Sequence, residues 1–296
     1  MSVKILEKDM IIKQNSDGFT PLIIGQPTTI FTARAQRLRQ LAQDSFMGDY
    51  LLLVGQIAQQ QANLAEQFES QIQTFAAQQT PLWPLTFDNT WMPLLTKMLN
   101  TMLDALIPVV SEDMLAVLNE VKTLDNTILE QYFSQLQQNQ FDSVPSEQAI
   151  LLFAILNTFV SLYVAALRLE WQPELDKKQH NCPLCGAAPV ASLVKDRGVR
   201  YLHCSQCEAQ WHRLRAECTQ CDDGEDIQLK SATLEDAVRA ETCSHCNSYL
   251  KILFIEKDFK VEPIADDLAT LVLDQKLAED GLLRSGFNPY LLPLMQ

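Results

Sequence analysis

From about residue 30 to residue 171 the apolar positions of the chain fall three and four residues apart, the period of a helix with one buried face. Phe31, Ala35, Leu38, Leu41 and Ala42 mark one stripe, and Leu53, Ile57, Leu64, Phe68 and Ile72 mark a second. The second runs through the Gln- and Ala-rich stretch between Gln56 and Gln79. Because the apolar period survives there, the glutamines read as a solvated helix face rather than as low-complexity sequence. Further helices are expected over residues 91–106, 111–121, 127–136 and 145–169. Ser111 is placed to cap one of them, with Glu112 and Asp113 in its first turn. Pro81, Pro84 and Pro108 punctuate the intervals. Residues 1–29 hold Gly18, Pro21, Gly25 and Pro27 without a sustained period, and read as an irregular arm.

Residues 148–167 carry no charge and are nominally long enough to cross a bilayer. Gln148, Asn157, Thr158, Ser161 and Tyr163 interrupt the run, and no basic cluster flanks it. A helix apolar nearly all round belongs in a core or a membrane; the interruptions favour the central helix of a bundle, and no membrane insertion is expected. The first part of the chain therefore reads as one helical domain of about five to seven helices.

The pattern changes at the polar stretch 171–180. Beyond it come short β-like pieces at residues 190–194, 199–203, 210–214 and 249–255, then a last helix over 264–280 ended by Gly281.

Composition adds exclusions. With 47% hydrophobic and 20% charged residues among 296, the chain has the makings of a core and room for about two domains. Its formal charge of −14, from 37 acidic and 23 basic side chains, comes without any Lys/Arg block that would track a phosphate backbone, so nucleic acid is not an expected partner. The N-terminus, Met1 to Met10, alternates charge with short apolar pieces and lacks a signal-peptide h-region, which points to the cytoplasm. There is no nucleophile-elbow context and no Gly-rich phosphate loop, and only nine glycines in all, so the chain is not read as an enzyme.

The chemistry lies in the cysteines. All eight fall in CxxC pairs: Cys182 and Cys185, Cys204 and Cys207, Cys218 and Cys221, Cys243 and Cys246. Sequential pairing gives gaps of 18 and 21 residues within each set of four and 10 between the sets, the spacing of two four-thiolate metal sites. A CxxC turn aims two sulfurs at one ion, and a second turn at the far end of a hairpin closes the tetrahedron at about 2.3 Å. Modules of about forty residues need such an ion in place of a core. A disulfide framework does not suit a cytosolic chain, and four pairs without a βαβ pattern do not suit thioredoxin-like exchange. Two loaded sites would take the charge to roughly −18, offset in part by amide groups and by Arg200, Arg213 and Arg215. Zinc and iron fit the same sulfur tetrahedron, and the spacing does not choose between them. His203 and His245 lie beside the knuckles but are not needed as ligands; His212 is expected on a strand at the surface or behind the sulfurs. The acidic run from Asp222 to Asp226 reads as a solvated turn.

One ordered set of landmarks is more specific than any single pair. Cys182-Pro-Leu-Cys185-Gly186, the segment from Arg200 to His212, Cys218-Thr-Gln-Cys221, Cys243-Ser-His-Cys246 followed by Tyr249-Leu-Lys251, then the segment from Ala265 to Ala269 and Asn288-Pro-Tyr290, together resemble the FdhE family. The match is carried by residues 180–290, with 1–180 similar mainly in being helical. A knuckle often continues with Gly, as at Gly186, whereas Glu208, Asp222 and Asn247 stand at the equivalent places here. The resemblance implies an accessory protein for maturation of respiratory formate dehydrogenase, contacting its catalytic subunit in the cytoplasm before export. It also implies rubredoxin-like sites ligated by the eight cysteines and associated with iron.

The expected fold is α+β: an all-α domain with its N-terminal arm over residues 1–175, two small rubredoxin-like or zinc-ribbon-like four-cysteine modules over 176–215 and 216–262, and a C-terminal helix and tail over 263–296. A rubredoxin-like electron carrier and a zinc-ribbon nucleic-acid binder stand as alternative functions.

Overall fold

The computed structural model describes residues 20–167, 178–195, 198–233 and 235–294. The first 19 residues of the expected arm, and most of the expected linker at 171–180, lie outside the described residues.

Six helices form the N-terminal body: α1 (Pro27–Leu41), α2 (Gly48–Ala76), α3 (Met92–Leu106), α4 (Glu112–Thr123), α5 (Asn126–Gln137) and α6 (Ser146–Ala166). Their starts follow local chemistry. Pro27 and Pro93 occupy first-turn positions, where a missing N–H costs nothing. The Ser111 hydroxyl accepts from the Met114 amide and the Asp125 carboxylate from the Ile128 amide, at 3.4 and 2.9 Å. The 29-residue α2 buries Leu51, Val54, Ala58, Leu64, Phe68 and Ile72 along one face, which leaves its glutamines largely on the other. α6 is buried continuously from Ala149 to Val164 and packs against each of α1 to α5. Among the described residues it is the one helix long and apolar enough to cross a membrane, and here its apolar surface is covered by protein.

The second part is one sheet. A short strand β1 (Leu22–Ile23) lies at one edge, followed in chain order by β2 (Pro189–Lys195), β3 (Val199–Cys204), β4 (Gln210–His212), β5 (Ile227–Lys230), β6 (Val238–Cys243) and β7 (Ser248–Phe254). Their spatial order is β1-β4-β3-β2-β7-β6-β5. It consists of two antiparallel ribbons of the same plan, knuckle–strand–strand–knuckle–strand, joined side by side where β2 runs parallel to β7, with Ser192 opposite Ile252 and Val194 opposite Phe254. β1 extends the sheet by pairing with β4, so residues 22–23 of the expected irregular arm are ordered as an edge strand.

The expected last helix is two. α7 (Pro263–Ala269) and α8 (Leu271–Glu279) meet at Thr270, whose backbone leaves the helical region at φ −113° and ψ 34°. The break follows from the buried ammonium of Lys251, which donates to the Asp267 and Thr270 carbonyls at 2.7 and 3.2 Å and so draws on acceptors that a continuous helix would use. Beyond Gly281, β8 (Leu283–Arg284) pairs with β7, and a 3₁₀ segment (Pro289–Leu294) returns to the helical body. Gly286 is required there, since a Cβ would lie 2.6 Å from the Val190 carbonyl oxygen.

One continuous hydrophobic core includes the helices, α7 and the inner face of the first ribbon, with Leu184, Val190, Leu202 and Trp211. Leu250 and Leu253 of β7 also join it, and the second ribbon has besides a satellite cluster of Ala240, Tyr249 and Leu277, supported by Leu273 and Leu282.

Candidate metal centres

The fold gathers the eight cysteines into two sets of four, Cys182/Cys185/Cys204/Cys207 and Cys218/Cys221/Cys243/Cys246, with all sulfurs of a set within 4.8 Å of one another. Closest approaches are 3.3 and 3.4 Å in the first set and 3.6 and 3.7 Å in the second. Sulfurs about 2.3 Å from a common centre in a tetrahedron sit roughly 3.8 Å apart, whereas a disulfide would need about 2.05 Å. The sets therefore have the dimensions of four-thiolate metal sites, and the donors fit zinc or iron alike.

Each set is made by two turns of one kind. In the first knuckle the Cys182 amide donates to the Ala187 carbonyl at 2.8 Å and the Gly186 amide to the Cys182 carbonyl at 2.9 Å. In the third, Cys218 bonds Asp223 and Asp222 bonds Cys218 in the same way, at 2.7 and 3.2 Å. The residue after the second cysteine is left-handed in all four knuckles, with φ of 75° at Gly186, 61° at Glu208, 60° at Asp222 and 53° at Asn247. Amides of Gln206 and Cys207 point at Cys204 Sγ and that of Gln220 at Cys218 Sγ, each at 3.3 Å, which favours thiolate.

Crowding splits the acidities. In the first set burial opposes ionisation of Cys182, yet hydrogen bonds from Cys185, Cys204 and Cys207 hold it well below the ordinary range, while burial pushes Cys185 and Cys207 well above it. In the second set burial also opposes ionisation of Cys246, but the Ser248 hydroxyl and the neighbouring sulfurs bring it down to about 7. For Cys221 the Asp223 amide favours the thiolate, but burial and the other sulfurs outweigh it and push the thiol up to about 12. Four sulfurs this close cannot all ionise without a cation between them.

Beyond the cysteines, the structure brings together residues that sequence reasoning missed. A left-handed backbone costs an L-residue about 1–2 kcal/mol, and two of the knuckles that lack glycine use the side chain to offset it. Glu208 is fully buried and accepts from Arg34 of α1 at 2.6 Å, Asn157 of α6 at 2.9 Å and His203 at 2.7 Å. Gln210 donates to His203 Nδ1 at 3.3 Å, which leaves Nε2–H to donate to Glu208. Arg34 also grips Glu262 at 2.9 Å. Burial would raise the Glu208 carboxyl, but the Arg34 guanidinium and His203 hold it at about 2. His203, Glu208 and Glu262 lie close enough to hold a cation, and the Arg34 guanidinium is that cation. At the third knuckle, Asp222 pairs with Arg213 of the first ribbon and lies 3.3 Å from His180, so it departs from the expected solvated turn. The signal for both clamps was in the chain: a carboxylate where a knuckle favours glycine.

Two of the arginines expected to offset thiolate charge also bind backbone, and the Arg200 charge lies within reach of Cys218. Arg213 donates to the Cys218 carbonyl at 2.9 Å, and Arg200 to the Glu217 carbonyl at 2.8 Å, with Glu241 as its ion-pair partner at 2.7 Å. They stitch one ribbon to the other. Asp266, in the first turn of α7, and Asp267 just after it are buried. Asp266 pairs with Arg37 at 2.6 Å, and Asp267 takes Arg284 at 2.6 Å and Asn288 at 2.8 Å. Trp211 is buried, with its indole N–H on the Gln179 carbonyl at 2.9 Å. His212 is half-buried, and burial lowers its pKa; His245 lies exposed.

A helical body fused to a double ribbon with two four-thiolate centres defines an α+β metal-binding class. Three family models match in succession: "FdhE, N-terminal" over residues 19–176, "FdhE, central domain" over 181–215 and "FdhE, C-terminal domain" over 216–291. Curated relatives include "Protein FdhE homolog" of Haemophilus influenzae strain PittEE, 37% identical over 99% of both chains, and "Protein FdhE" of Salmonella dublin, 35% identical over 99% of both. The crystal structure of the FdhE protein from Pseudomonas aeruginosa superposes with a TM-score of 0.76 at 29% identity, covering 90% of this chain and 97% of that one. The chain belongs to the FdhE family.

Proposed function

We propose that this protein is a cytoplasmic maturation factor for respiratory formate dehydrogenase. It binds the catalytic subunit through its helical body and its two four-cysteine modules, and it performs no reaction of its own. Family membership along the whole length carries the reading. In it, all eight cysteines are metal ligands and the resident ion is iron, with zinc the other metal that the donors suit. A bound ion would supply the cross-link that organises each ribbon; the chain's own part is to hold the sulfurs at tetrahedral spacing and to tie the knuckles to the helical body through Glu208 and to the first ribbon through Asp222.

The test pairs two measurements. A tagged protein recovered anaerobically should bring down the formate dehydrogenase catalytic subunit, and a deletion strain should lose formate dehydrogenase activity. Failure to co-purify, together with normal activity in the deletion strain, overturns the reading.

A rubredoxin-like electron carrier is the second reading, favoured by the partial exposure of Cys221 and Cys246. It requires iron and a visible absorption that bleaches reversibly with dithionite. A colourless zinc protein removes it.

A further inference from the structure

The two centres offer the same donors but unequal access. In the first, Cys182, Cys185, Cys204 and Cys207 are all 3% exposed or less and lie within the main core. Both of its knuckles are fastened to the helical body: the Leu85 amide donates to the Leu184 carbonyl at 2.7 Å, and Glu208 is held by Arg34 and Asn157. In the second centre, Cys218 and Cys243 are buried while Cys221 and Cys246, one from each knuckle, reach solvent. Their side of the tetrahedron is flanked by exposed Ser244, His245 and Asn247, and the ribbon beneath rests on the satellite cluster, with Leu250 and Leu253 of β7 in the main core.

Exchange at a thiolate site begins when a proton or a competing ligand reaches a bound sulfur or the ion. At the second centre this requires no unfolding. At the first it requires opening the helix–sheet core, a sub-global event that draws on much of the protein's stability. Ser248 adds a local reason: its hydroxyl lies 3.0 Å from Cys246 Sγ and 3.8 Å from Cys218 Sγ, placed to stabilise a sulfur that has let go of an ion.

We infer that the centres have different roles: the first is a permanent structural site, and the second is an exchange site that takes up and releases its ion across the Cys221–Cys246 edge. The inference rests on the metal reading above. Each step exchanges one metal–sulfur bond for one to the incoming donor, with no change of oxidation state.

The experiment uses full-length protein reconstituted anaerobically with two equivalents of zinc and challenged with excess chromogenic pyridylazo chelator. One equivalent should leave at least ~10-fold faster than the other, a difference of about 1.4 kcal/mol in barrier, with unchanged far-UV circular dichroism. Iodoacetamide added at the end of the fast phase should label Cys218, Cys221, Cys243 and Cys246 and spare the first set, as read by peptide mass spectrometry. The double variant Cys221→Ser/Cys246→Ser should bind one equivalent and lose the fast phase. Release of both equivalents at one rate, or early label on the first set, overturns the inference and leaves the metal reading standing. A folded protein that takes up no metal overturns both.

Discussion

The two ribbons share a plan of strands, turns and ligands, and differ in what surrounds them. The first lies face-down on the helical body, and its centre is part of the main core. The second continues the same sheet outward, held by the pairing of β7 with β2, by Leu250 and Leu253 in the main core, by ion pairs to its neighbour and by a small apolar cluster. The αL residues make the contrast concrete. Glu208 and Asp222 have nearly the same φ at equivalent positions, but Glu208 is clamped by two helices and a histidine in a dry site, and Asp222 faces Arg213 and His180 near the surface. Ligand spacing thus specifies a thiolate cluster, and its setting specifies whether that cluster is a core element or a surface feature.

The contrast is broken most directly by removing ligands. Cys204→Ser should abolish recovery of soluble folded protein, since on the proposed metal reading it takes away an ion worth about 10 kcal/mol or more of folding energy and leaves a hydroxyl in the core. Cys246→Ser should lose one metal equivalent and keep a cooperative thermal transition. Equal effects of the two, by metal analysis and circular dichroism, would mean that the two settings do not matter.

Next in size is the clamp. Arg34→Met leaves Glu208 and Glu262 buried without a counter-charge and should cost roughly 3–5 kcal/mol. Arg213→Met faces an Asp222 side chain that is 30% exposed and should cost no more than about half as much. Denaturant titration of both variants checks the order.

Asp267 ties β7, β8 and α7 together through Lys251, Arg284 and Asn288. Burial would raise its carboxyl, but the Lys251 and Arg284 charges hold it below the usual aspartate value. Its contribution is therefore present above the unfolded pKa, near 4, and is lost as pH falls through the lower folded value. Asp267→Asn should cost about 2–3 kcal/mol at pH 7, and the gap from wild type should narrow below about pH 4. A gap independent of pH would show that the carboxylate's charge is not what anchors the second ribbon.

The smallest effect is expected at the exposed Asn247. Asn247→Gly relieves a left-handed backbone at φ 53° and should change stability by about 1 kcal/mol or less. A loss larger than that would reveal a role for the side chain.

Much of this was legible in the chain because it is local. The stripe from Leu53 to Ile72 is helix α2, the uncharged run from residue 148 is the buried α6, and each CxxC forms a knuckle because two intervening residues fit one turn. β5 and β6 were missed although Ile-Gln-Leu-Lys and the start of Val-Arg-Ala-Glu-Thr-Cys alternate apolar and polar residues, since runs this short carry little signal; they are strands because their backbones pair with each other and β6 with β7. The split of the last helix at Thr270 depends on Lys251, which arrives from another strand.

The sequence by itself determined the helical periods, the four knuckles and the donor set, since each depends on residues a few positions apart. Tertiary structure alone decided that Arg34 meets Glu208 across 174 positions, that β2 runs beside β7, and that one sulfur cluster is sealed while the other opens to water. Those outcomes depend on which surfaces bury one another, and burial is a property of the assembled chain.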